Sequence, residues 1–85
     1  MRTPAEIESI LLRSVRTASI AQKAAYDQLQ EVTSDIPSGI PSPDGALRIQ
    51  QAGEAHRAAL EVLAHVLDRW NDFKSRGRIP EDLKD

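Results

Sequence analysis

Between Pro4 and Pro37 the chain contains no proline and no glycine, and then Pro37, Gly39, Pro41 and Pro43 fall within seven residues. That contrast constrains the fold more than any other feature. An uninterrupted stretch can propagate as one helix, whereas a residue before proline is pushed out of the helical region. The chain must therefore break and turn near residue 39. After Pro43 the next proline is Pro80, with Gly77 just before it as a left-handed terminator. The pattern predicts an all-α chain: one helical-hairpin domain over 1–85, with a helix at 4–33, a Pro/Gly/Ser corner at 34–42, a second helix at 43–76 and a short tail at 77–85.

Local signals agree with this division. Thr3-Pro4-Ala5-Glu6 and Ser42-Pro43-Asp44 both read as cap, proline and acid, and Glu6 completes a capping-box pattern. At about 100° per residue, Ile7, Ile10, Leu11, Val15, Ala18, Ala21, Ala25, Tyr26, Leu29 and Val32 gather on one side of the first helix. In the second, Ile49, Ala52, His56, Ala59, Leu63, Val66, Trp70 and Phe73 alternate by three and four like a heptad seam, and Leu60 and Leu67 widen it.

A turn centred near residue 39 makes antiparallel partners add to about 78. Small residues then meet near the corner (Ala18, Ala21 and Ala25 against Ala52, Gly53 and Ala59), which favours close approach there. Gln22 meets His56 at one level, both within otherwise apolar stripes, as a buried polar pair that pins the register. Ser14 is expected to bond its own backbone. Each Ile-Pro step reads as a stopper. Ile36 and Ile40 would cover the corner end, while Ile79-Pro80 and Leu83 would close the open end against Ile7, Trp70 and Phe73.

Two helices packed only on each other bury a narrow seam, and these stripes are wider. The chain has no cysteine to staple it, and a two-helix unit this small seldom holds itself without help. The reading is an antiparallel homodimer forming a four-helix bundle, with Ile7, Leu11, Val15, Leu60, Leu63, Leu67, Trp70 and Phe73 as dimer and core interface. Charge orients it: the open half (1–20 and 62–79) carries +3, the corner half (21–61) −3 and the remaining tail −2. Head-to-tail packing sets opposite signs together.

Chemistry receives less support. Glu61, His65 and Asp68 share an outer face at metal-ligand spacing, with Asp72 a turn further, but the same spacing marks a solvated helix face. There is no cysteine nucleophile, no serine–acid setting around either histidine and no phosphate-cradling glycine loop, so no enzyme and no cofactor are expected. The basic residues of Lys74-Ser-Arg-Gly-Arg78 suit a helix C-terminus, and a net charge of −2 argues against nucleic acid as a partner. No apolar run approaches the ~20 residues of a membrane span or the core of a leader peptide, so a cytoplasmic location is expected, with no membrane partner.

In its length and its Pro41-Ser42-Pro43-Asp44 corner the chain is similar to type III secretion needle subunits, which implies a secretion-apparatus hairpin subunit as an alternative. Gly77 and Pro80 stand where a needle subunit would remain helical. WXG-type secreted hairpins are similar in size, but their Trp-x-Gly turn is missing and Trp70 lies deep in the second helix. The favoured expectation is a small self-associating structural or adaptor protein that offers a helical surface to another protein. A metal- or small-ligand-binding bundle, using His56 or the Glu61–His65–Asp68 face, is the other alternative.

Overall fold

A computed structural model describes residues 2–34 and 43–84. It is an antiparallel helical hairpin of α1 (Pro4–Ser34) and α2 (Pro43–Arg76), followed by a single 3-10 turn at Glu81–Leu83. No strand occurs among the described residues. The plug expected from Ile36 and Ile40, the reversal at Gly39 and the cap at Ser42 lie outside the described residues.

The helix ends follow from local chemistry. The Glu6 N–H donates to Thr3 Oγ1 at 3.1 Å, and the Thr3 hydroxyl donates to Glu6 Oε1 at 3.3 Å. That exchange satisfies one of the donors a helix start leaves open. At the other end of the hairpin Gly77 adopts φ 68, and its N–H bonds the Phe73 carbonyl at 3.0 Å while Arg78 N–H bonds Asp72 at 3.2 Å. A left-handed glycine thus stops α2 and satisfies two of its last carbonyls.

Beyond Gly77 the tail folds back across the open end. Leu83 buries itself with Ile7 (3% exposed) and Leu11 (1%), and Ile10, Trp70, Phe73 and Ile79 pack around them. Arg69 Nη2 holds Asp82 at 2.9 Å, and Arg2 Nη1 donates to the Leu83 carbonyl at 3.2 Å. This apolar cap is the main core. It also brings Glu81 and Asp82 to the positive half, so the charge contrast between halves is smaller than a tail pointing away would give.

Toward the corner the seam thins. Ala18 and Ala52 are buried there, whereas Ala25 and Ala59 are half-buried and Ala21 is exposed. Gly53 does not belong to the tight layer, because a Cβ built on it would meet nothing within 4 Å. Its place on the wheel lies beside the seam. Ser14 donates to the Ile10 carbonyl at 3.1 Å, so its hydroxyl is satisfied within α1.

The hairpin is long and lightly covered. Its radius of gyration is 17.8 Å, against about 12 Å for a compact chain of this length. It exposes 6274 Å², where a compact monomer of this mass would expose about 5,000 Å².

Candidate functional site

Register decides which side chains can act together. Gln22 Nε2 and His56 Nε2 stand 3.1 Å apart, so these two residues share one level of the hairpin. With the amide donating, Nε2 of the imidazole accepts and the ring proton sits on Nδ1. The Tyr26 ring lies beside the same histidine, centroids 5.6 Å apart and tilted by 47°. The pair is half-buried rather than buried, because the small residues around it leave the seam shallow and water reaches both side chains.

At the open end Lys74 Nζ bonds Glu8 Oε1 at 2.7 Å and lies 5.5 Å from the centroid of the Trp70 ring. These two crossings fix which flank of α1 adjoins which flank of α2. From Glu8 the α1 flank continues by steps of four and three through Leu12, Val15, Ser19, Gln22 and Tyr26. From Lys74 the α2 flank runs back by sevens through Leu67, Leu60 and Gly53. One face of the hairpin therefore presents Leu12, Val15, Leu60 and Leu67 between an ion pair at one end and the Gln22–His56–Tyr26 group at the other.

This face is incompletely covered. Leu60 is 43% exposed and Leu67 38% exposed, while Leu12 and Val15 are half-buried. Of the residues expected at a dimer and core interface, Ile7 and Leu11 prove unavailable to a partner, since the chain's own tail closes over them. Trp70 and Phe73 pack against that same cluster, and Leu63 is half-buried in the seam. Leu60 and Leu67, with Val15, are the members left to meet another surface. Tyr26, placed in the apolar stripe by its spacing, is 44% exposed, because its ring leans over His56 at the edge of the seam.

The opposite flank carries residues that the stripe analysis did not single out. Val62 is 54% exposed and lines a shallow groove of about 360 Å³ with Arg13, Ser14, Thr17, Ala18 and Ala21. Ile20 and Leu47 are also exposed. Ile20 and Leu47 stand outside the three-and-four spacing, so periodicity alone assigns them no role.

Glu61, His65 and Asp68 all lie exposed on α2. Among the described residues no group of three or more His, Asp or Glu side chains is arranged to hold a metal ion. Nor is any described helix long and apolar enough to cross a membrane.

No family model matches the chain, and neither the curated proteins nor the solved structures contain a match.

Proposed function

We propose that this chain is a non-enzymatic helical interaction module that self-associates through the Leu12–Val15–Leu60–Leu67 face into a four-helix bundle. In this reading it serves as a structural or adaptor element. The observation that carries it is the pair Leu60 and Leu67, two large apolar side chains on one helical stripe, both still exposed after the hairpin has closed.

The energetic argument is direct. Burying two leucines that are each about two-fifths exposed, in both copies, removes a substantial apolar area from water at roughly 25 cal/mol per Å². The hairpin measures 57 × 20 × 16 Å, so its broad side offers an area on the order of 1,000 Å². A standard interface buries about 800 Å² per partner. A second hairpin supplies a matching apolar stripe by symmetry, as isologous pairing requires. A cytoplasmic setting is part of this proposal, and a chain without cysteine needs no oxidising compartment to assemble there.

The test is sedimentation velocity over a wide concentration range on the wild-type chain, Leu60→Glu, Leu67→Glu and Val62→Glu. Dimerisation by the wild type, lost in the first two variants and kept in Val62→Glu, supports the assigned face. A wild-type chain that stays monomeric at high concentration with full helicity contradicts self-association. Loss in Val62→Glu alone would move the contact to the opposite flank.

A further inference from the structure

Resting on that reading, we infer that the second copy docks head to tail with α2 against α2 of its partner, about a two-fold axis at the level of Leu63 and Ala64. Leu60 of each chain then packs beside Leu67 of the other. The occupant, the direction and the register all follow from where side chains lie on the exposed face.

Symmetry leaves two ways to stack one broad face on its copy. A two-fold axis along the helices keeps corner over corner and places α1 over the partner's α2. An axis across the helices reverses the hairpin and places like helix over like. The Gln22–His56 contact sets Lys23 at nearly the level of Arg57, and the Lys74–Glu8 bond sets those two at one level. The first arrangement therefore brings Lys23 over a cation while Glu8 lies over Lys74, and its pairs cancel. In the second, Lys23 of one chain reaches the level of Glu8 of the other, and opposite charges meet. Like charges facing each other disfavour an arrangement, so charge selects direction even where each pair contributes little.

The register comes from the leucines. Leu60 and Leu67 are the exposed large side chains of the α2 stripe and stand seven residues apart. Reversing that stripe on itself interdigitates four leucines only if the axis bisects the interval. The exposed alanine at 64 then sits at the crossing, where a small side chain lets the two helices approach. The same axis makes α1 positions pair so that Leu12 lies opposite Ser19 and Glu8 opposite Lys23. Arg16, on the same stripe as Lys23, falls beside the axis and near its own mate, one like-charged pair that the two Glu8–Lys23 levels outweigh.

Because the chain contains no cysteine, each introduced thiol reports on one position. A disulfide requires Cα atoms within about 7 Å, which the axis grants to residue 64 and its symmetry mate. It denies this to residue 60 and its mate, seven residues or about 10 Å apart along the helix. Under mild oxidation, Ala64→Cys should yield covalent dimer as its major species and Leu60→Cys alone little. An equal mixture of Leu60→Cys and Leu67→Cys should give mainly the mixed disulfide. Sedimentation of the reduced variants separates the two levels of the argument. Dimers that fail to link at residue 64 overturn the register while leaving self-association standing. Linking of Val15→Cys to Ala64→Cys in their place would establish the corner-over-corner arrangement. Reduced chains that are all folded monomers overturn both readings.

Discussion

Gln22 and His56, thirty-four residues apart in sequence, meet at 3.1 Å across the hairpin at a level where neither side chain is fully buried. Their hydrogen bond thus fixes register more than it adds stability, since water can replace either partner. Replacing His56 with leucine removes a polar group from an apolar seam and leaves the Gln22 amide within reach of solvent. The expected gain is on the order of 0.5–1 kcal/mol, a rise in Tm of about 2–8 °C. The variant should also lose discrimination between neighbouring registers, seen as a broader set of disulfide partners in the cysteine variants. A fall in Tm would mean that the histidine contributes through contacts other than this bond.

Leu83 and Asp82 are adjacent, yet they hold the tail by unequal means. Leu83 is buried against Ile7 and Leu11, so Leu83→Ala opens a cavity in the main core and should destabilise by about 2–3 kcal/mol in urea denaturation. Asp82 meets Arg69 at 2.9 Å from a largely exposed position, and Asp82→Asn should change stability by less than about 1 kcal/mol. Near-equal effects would show that the ion pair docks the tail as much as the apolar cap does.

The hairpin itself was legible because its determinants are local. Proline and glycine at 37–43, a cap at Thr3 and a left-handed stop at Gly77 act within a few residues of where they stand. Gln22 and His56 could be paired by arithmetic for the same reason, because two antiparallel helices leave a single free parameter. Exposure was harder to read. Ile7, Leu11, Leu60 and Leu67 are alike as apolar positions on a stripe, and only the path of the tail separates the first two from the others. The closure of Ile79 and Leu83 on Ile7, Trp70 and Phe73 was itself legible from the last Ile-Pro step, but that it also buries Leu11 depends on how far Leu83 reaches, which no periodicity encodes. Gly53 misled for a related reason: a small residue near a seam suggests close packing, but its actual place is one step around the helix from the contact line.

Lys74 provides a comparison among surface cations. It bonds Glu8 on the other helix and also sits beside the Trp70 ring, whereas among the described residues Lys23 pairs with Asp27, one turn along its own helix. Lys74→Ala should therefore cost about 1 kcal/mol, combining a weak ion pair with a cation–π contact. Lys23→Ala should cost no more than about 0.5 kcal/mol. Thermal melts at low and high salt distinguish the contributions. The ion-pair part of the Lys74 effect shrinks with screening, and the loss of alkyl packing on the indole persists.

Gly77 and Gly53 offer the same substitution with opposite expected sign. An added Cβ meets nothing within 4 Å at either position, so sterics with neighbours drop out and backbone conformation decides. Gly77 has φ 68, a region where an L-residue costs roughly 1–2 kcal/mol, and Gly77→Ala should destabilise by that amount while fraying the end of α2. Gly53 lies inside α2, where alanine is favoured over glycine by about 0.5–1 kcal/mol, so Gly53→Ala should stabilise. Both are best measured at a concentration low enough to keep the chain monomeric. At higher concentration the proposed head-to-tail dimer would set Gly53, on the Leu60–Leu67 stripe, opposite Lys74 of the second copy. A stabilised monomer that nonetheless dimerises less would then show that the missing side chain at 53 makes room for the second copy.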